Sequence, residues 1–448
     1  MSDSSTVELD YVNTPLGKLY KRLLPSAIGS MLTSTVASFI DVIILSHFLG
    51  PGMLAVVGFC MPIYMFVNTI GMLVVSGAST LYAQYLGEGN KEEAMKFFSV
   101  AVVHLVISGA IFTVVGLLFT GPIVKLLGAN AAVEADTAEY AHVLFFFMIP
   151  LMIYLLLLFF VRIDNDPNRV LVATISCAVV NLILDVLFVG PLKMGVKGAA
   201  LATCIAYTVG TLVNLTHFLS KKNTLKFIKD CMKGRSIRVW RVGMPLAASQ
   251  LGMTISTQIF NNTVVRVGNE NYVSVYSVIT QLAMTSMAIY DGIGQAAQPI
   301  LAAACGAGKK ERIRQAFMYG LRLELIGTAI LAVLYFLAAN PISALFSITE
   351  GELLSLSLSG IRIYAFSVPM IGVNSIIMYY FQAQEKSIRA LVISLLSGSV
   401  LLIVSLFILV ALFREKGIWF SYVAAQGLAL VISLVLIRQE QHGRSKQQ

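Results

Sequence analysis

Charge is what this sequence has least of. Asp, Glu, Lys and Arg make up 12% of its 448 residues, about half the share of roughly 25% found in soluble domains. So few charges cannot coat the two or three soluble domains that the length would otherwise suggest. Cysteine is sparse as well. Cys60, Cys177, Cys204, Cys231 and Cys305 form no Cys-x-x-Cys pair, which argues against a disulfide scaffold or a thiolate metal site. The sequence has no Gly-x-x-x-x-Gly-Lys loop, no Gly-x-Ser-x-Gly and no His-Glu-x-x-His. His47, His104 and His142 are scattered without ligand spacing. A nucleotide-driven pump and a membrane enzyme are therefore both disfavoured, and no cofactor is expected.

Hydrophobic residues are present in excess, at 57% of the chain with a mean hydropathy of +0.81. A helix needs about 20 mostly apolar residues to cross the hydrocarbon of a bilayer. Twelve such runs lie near 24–48, 55–84, 97–121, 139–161, 169–190, 195–218, 242–265, 272–304, 315–339, 359–382, 390–412 and 417–437. They are continuous, not alternating, which fits helices and not a transmembrane barrel. The polar first 23 residues lead into a run too long for a signal h-region, so the first span is expected to remain uncleaved.

The net charge of +9 would suit a nucleic-acid partner, but its placement assigns it to topology. With the N-terminus in the cytoplasm, about 24 of the 32 basic residues fall on that side, from Lys18, Lys21 and Arg22 to Arg438, Arg444 and Lys446. About six face the other way: Lys125, Lys193, Lys197, Arg266, Arg414 and Lys416. Both termini are expected in the cytoplasm, and no nucleic acid is expected.

The basic stretch 220–241 divides the spans six and six, and the two sides repeat one another. Pro25 pairs with Pro245, Gly87-Glu88-Gly89 with Gly306-Ala307-Gly308, Pro150 with Pro369, Arg169 with Arg389, and Lys197-Gly198 with Lys416-Gly417. Every pair is separated by 219 or 220 residues. The expected organisation is an N-terminal lobe over 1–219, a basic cytoplasmic linker over 220–241 and a C-terminal lobe over 242–448. Six spans per half, an even number, make this a parallel repeat about an axis along the membrane normal, an architecture associated with alternating-access transport.

Carboxylates in mid-span cost about 2.5–3.5 kcal/mol on insertion scales and are functional candidates by default. Asp41 and Asp185 are the two that stand well inside their spans. Asn181 precedes Asp185 by four residues and shares its helix face, and Thr203 on span six is the nearest hydroxyl of comparable depth. Two carboxylates, an amide and a hydroxyl supply the oxygens that a hard cation such as Na⁺ prefers. Carboxylates brought together in a low dielectric can equally hold a proton. Across the repeat, Asp41 falls on Asn261 and Asp185 on Ser405, so both acids have neutral counterparts. Cation coupling is expected in the first half. Asp291, in Tyr290-Asp291-Gly292, could meet a cationic substrate or relay protons. Glu324 is expected to pair with a nearby base such as Arg322. A chamber for organic cations is expected to draw on Met31, Met61, Tyr64, Met65, Asn68, Tyr154 and Tyr207, whose aromatic and thioether groups suit varied ligands.

No Asp-Arg pair follows Gly87, which separates the chain from the major facilitator type. The Pro25–Asp41 run, the paired Gly-x-Gly loops, Arg162-Ile-Asp164-Asn-Asp-Pro167, Gly294-Gln-Ala-Ala-Gln298-Pro299 and Asn181-Leu-Ile-Leu-Asp185 instead resemble the multidrug and toxic compound extrusion (MATE) family, in particular its prokaryotic DinF-like branch. The resemblance covers the whole chain. It implies an all-α fold of twelve transmembrane helices in two six-helix bundles. It also implies that Asp41, Asn181, Asp185 and Thr203 converge on a cation site, for Na⁺ or a proton. The implied activity is export of amphipathic, often cationic compounds across the cytoplasmic membrane by a monomer in exchange for H⁺ or Na⁺. An exporter of an endogenous metabolite or lipid-linked precursor is the alternative.

Overall fold

The computed structural model describes residues 10–129, 133–268 and 270–445. Lys446, counted above with the basic tail, lies outside them. Every regular element among the described residues is helical. Span one is Leu16–Leu49, span two Pro51–Gly87 and span three Lys91–Leu118. Span four has two limbs, Glu134–Phe146 and Met148–Ile163, followed by span five, Pro167–Val189, and span six, Gly195–Leu215. In the second half, spans seven to ten are Arg235–Val267, Glu270–Gly306, Lys310–Leu337 and Gly351–Ala383. Span eleven runs through Ser387–Leu395, a π turn at Leu396–Val400 and Leu401–Phe413, and span twelve is Gly417–Ser445. Short helices, Thr120–Leu126 and Ala339–Leu345, follow spans three and nine.

On length and apolarity alone, nine stretches among the described residues qualify to cross a bilayer, or ten with the bent pair of span four. Two features account for the difference from twelve. The stretch Ser387–Glu440 contains spans eleven and twelve, which are divided where Arg414 takes a φ of 51°. Span seven carries Gln250, Thr254, Ser256, Thr257, Gln258, Asn261 and Asn262, too many polar groups for an isolated apolar span. Large apolar side chains stay exposed along the others, among them Leu118, Ile330 and Leu412, as lipid-facing surfaces require.

The repeat is written into the backbone. Left-handed residues recur at Gly89 and Gly308, at Gly128 and Ser347, and at Asn165 and Glu385, again 219 or 220 apart. The prolines differ in effect. Pro150 lies just after the break at Phe147, where span four bends by 54°. Pro369 leaves span ten as one helix.

The described chain divides into two compact units that meet between Gly243 and Met244. The 220–234 segment is held on the first unit by buried acids. Asp164 accepts from His217 Nε2 at 2.8 Å, from Thr224 N at 2.8 Å and from the Thr224 hydroxyl. Asp166 takes Arg169 Nε at 2.7 Å and Lys222 Nζ at 2.9 Å. Arg235 then grips Glu93 through two bonds, at 2.6 and 3.0 Å. Gly77 and Gly243 let spans two and seven touch backbone to backbone, since a Cβ on Gly243 would stand 1.8 Å from Leu73 O. The Arg162–Pro167 motif is thus a clasp. Burial acts to raise the Asp166 carboxyl, but its bonds to Arg169 and Lys222 outweigh this and hold it below its ordinary range. A group lowered in this way lends stability above the unfolded-state value and loses it as pH falls through the folded one.

Two outcomes are expected. The thermal stability gap between wild type and Asp166→Asn should be constant at neutral pH and close as pH drops below about 4. Cys231, buried within the held segment with its thiol pushed up by desolvation, should react with maleimide about ten- to a hundredfold faster in Asp164→Asn, because three donors lose a charged acceptor.

Candidate functional site

Within the first unit, span five positions the central groups. Asn181 and Asp185 stand one turn apart, and Asn181 Nδ2 donates to Asp185 Oδ2 at 2.8 Å. The same nitrogen reaches Thr203 Oγ1 of span six at 3.5 Å. From span one, the Asp41 carboxyl meets that of Asp185 side chain to side chain. Asp185 is fully buried, and one oxygen of each acid, Oδ1, is buried without a hydrogen-bond partner. The four residues expected to converge do so.

Two carboxyl groups in contact within an apolar bundle cannot both remain bare anions, so a proton or a shared cation must lie between them. The donor set fits a monovalent ion. Among the described residues no group of three or more His, Cys, Asp or Glu gathers as a tight divalent site would. Tyr140, from the first limb of span four, lies within electrostatic reach of both acids. Sequence reasoning passed over it because it sits at the end of its span, where an aromatic reads as an interface anchor.

A tyrosine cluster adjoins this group. Thr203 and Tyr207 share one face of span six, as Cys177 and Asn181 share one of span five. The Tyr207 and Tyr64 phenols hydrogen-bond to each other. Tyr154 packs edge-on to Tyr207, with ring centroids 5.2 Å apart, and its hydroxyl reaches Thr174 Oγ1 at 3.5 Å. The expected chamber residues are therefore divided. Tyr64, Tyr154 and Tyr207 come together. Met61 and Met65 are exposed on span two, and Asn68 is half-buried on the same helix. Half-buried Met31 precedes Leu32, at the start of an apolar groove of about 360 Å³ between spans one and five, which runs to Ile40 and Leu182 and is not lined by the acids themselves.

Asp291 lies in the second unit, on the wall of a separate cavity of about 120 Å³. Glu324 departs from expectation. It is midway along span nine, fully buried, and neither carboxyl oxygen has a hydrogen-bond partner. No ion pair with Arg322 forms, because both residues are on one helix only two apart and point to different faces. The Gly294–Pro299 motif is structural. Gln298 Nε2 donates to Gln382 Oε1 at 3.4 Å, and a Cβ on Gly294 would strike the Tyr379 ring.

This geometry, on two helical units with a matching backbone, is that of a duplicated membrane carrier. A MatE family profile matches residues 25–187 and 245–408, and the chain belongs to that family. Among curated proteins it is 25% identical over 422 residues to "Probable multidrug resistance protein YoeA" of Bacillus subtilis, covering 92% of this chain and 90% of that one. It is also 25% identical over 395 residues to "FAD transporter" of Shewanella oneidensis, covering 86% of each. Among solved structures, the outward-facing conformation of a multidrug resistance MATE family transporter superposes with a TM-score of 0.90 at 23% identity, over 97% of this chain and 98% of that one. That likeness shows the two-lobe, twelve-helix fold.

If the acid pair holds a cation, mass action should stabilise the fold as that cation is added. The unfolding temperature of the wild type in detergent should rise by a few degrees with added sodium or acid. Asp41→Asn and Asp185→Asn should lose this response while starting at least as stable, since an amide removes the like-charge contact. Variants that respond as the wild type does would show that the pair binds no cation.

Proposed function

We propose that this chain is a secondary active antiporter of the cytoplasmic membrane, exporting amphipathic, often cationic organic compounds. H⁺ or Na⁺ moving inward through the Asp41–Asp185 pair drives the exchange. The observation that carries this reading is the contact of the half-buried Asp41 carboxyl with the buried Asp185 carboxyl, each with a buried, unpartnered oxygen, inside a MatE fold. The coupling ion is cargo and not a resident cofactor, and the protein works as a monomer with both termini in the cytoplasm.

Coupling needs the ion and the substrate to favour different states. The apolar groove between spans one and five, the two helices that carry the acids, is large enough for a small organic molecule. A cationic amphiphile seated there, its charge toward Asp41 and Asp185, would compete with the ion for the same negative charge. Binding of the ion would then release the drug. The tyrosine cluster adds faces that attract organic cations.

The name of the Shewanella relative raises a second reading, export of an anionic nucleotide-like metabolite. Such a substrate calls for basic groups in the cavity, whereas Asp185, Asp291 and Glu324, buried in mid-span, are acids.

The test is reconstitution into liposomes with pH and sodium gradients imposed separately. Ethidium movement should follow one of them. Asp41→Asn and Asp185→Asn should insert normally and lose gradient-driven flux. Wild-type rates in either variant would remove the pair from coupling.

A further inference from the structure

The second unit carries a buried acid pair of its own, which the coupling mechanism above does not use. Spans eight and nine form a hairpin about the turn after Gly306. Asp291 lies 15 residues before that glycine and Glu324 lies 14 after Lys310, which puts both about 21 Å along their helices at 1.5 Å per residue. Asp291 lies within electrostatic reach of Glu324, and Tyr290 lies within reach of both. Asp291 is 9% exposed and faces the 120 Å³ cavity. Glu324 is 0% exposed and lies behind it, against Gly372, where a Cβ would stand 2.8 Å from Oε1.

At the repeat offset of 219, Asp291 falls on Met72 and Glu324 on Leu105. The first unit thus has apolar side chains where the second has acids, the converse of Asp41 and Asp185. Neither unit inherited its pair from the other.

We propose that Asp291 and Glu324 form a second proton-binding site, separate from Asp41 and Asp185. The cavity is too small for a drug-sized molecule but has room for roughly four waters. Its walls mix apolar side chains with the polar groups of Gln250, Thr257, Asn374 and Gln426. A hydronium ion in it can give its proton to the Asp291 carboxylate, leaving water. The titratable groups facing the pair are Tyr290 from span eight, Tyr364 from span ten and Tyr422 from span twelve. Spans seven and eleven line the cavity with none. The π turn of span eleven borders the same cavity through Ser397 and Gly398. Its carbonyls are satisfied by Gln426 Nε2 at 2.9 Å and Ser256 Oγ at 3.1 Å, which gives the cavity wall a helix irregularity of the kind frequent at functional sites. A role for this proton in transport rests on the antiport reading. The site itself does not.

Infrared difference spectroscopy of the full-length protein in liposomes, recorded between acid and alkaline buffer, tests the site directly. The Asp41→Asn/Asp185→Asn double variant should keep a protonated-carboxyl C=O band, and that band should weaken on adding Asp291→Asn or, separately, Glu324→Gln. Glu324→Gln replaces an acid by an amide of the same shape, so it reads the site even if Asp291→Asn fails to fold. A double variant with no such band, or a band that both additions leave unchanged, would overturn the proposal. Failure of the antiport reading would look different: ethidium flux would ignore both gradients in every protein, and the infrared result would be unaffected.

Discussion

The first unit is organised around one contact that electrostatics forbids in its bare form, carboxyl against carboxyl at Asp41 and Asp185. Each acid alone opposes membrane insertion by about 2.5–3.5 kcal/mol, and their mutual repulsion adds to that unless positive charge sits between them. The surrounding polar groups are placed accordingly. Asn181 donates to Asp185 and extends toward Thr203, so the neutral donors are already engaged and cannot supply the missing charge. What is left unfilled is one oxygen on each acid. A structural ion pair would engage those oxygens with a basic side chain, and no such pairing of Asp41 or Asp185 occurs among the described residues.

The sequence exposed this group because the physics of lipid leaves few alternatives. An Asp in a run of Val, Ile and Leu is conspicuous, and spacing of four fixes Asn181 on the face of Asp185. Twelve spans were legible for the same reason, with span seven the hardest to see because its polar side chains dilute its apolar signal. Tertiary proximity was not legible. Tyr140 comes from a span end, and only the 54° break in span four turns its first limb toward the acids. Met61 and Met65 are exposed on span two, and a thioether suits a chamber and a lipid-facing surface equally well. Glu324 looked paired because Arg322 is close in sequence, but residues two apart on a helix diverge by about 200°.

The loop motifs carried a different message from the one their charge suggested. Arg162–Pro167 reads as a polar cytoplasmic turn, yet Asp164 and Asp166 are buried and collect donors from 217–225. The second unit keeps the shape of that turn with other chemistry. Glu385 takes the left-handed place of Asn165, and Lys386 and Arg389 bind Glu440 in span twelve. In each unit the turn after a helix is tied by an ion pair or charged hydrogen bond to a later segment, 217–225 in the first and span twelve in the second. Backbone geometry was conserved between the units while the charges moved.

That separation of scaffold from charge explains how a duplicated bundle can become asymmetric. The helices need only apolar surface and satisfied backbone, conditions that Met72 and Leu105 meet as well as any residue. Acids are costly wherever they are buried, so their positions are free to differ between units as long as each has something to hold. The first unit places its pair on spans one and five, the two helices that flank an open apolar groove. The second places its acids on spans eight and nine, where Asp291 lines a smaller cavity. If each pair holds an ion, only the first has room nearby for an organic molecule to compete for it.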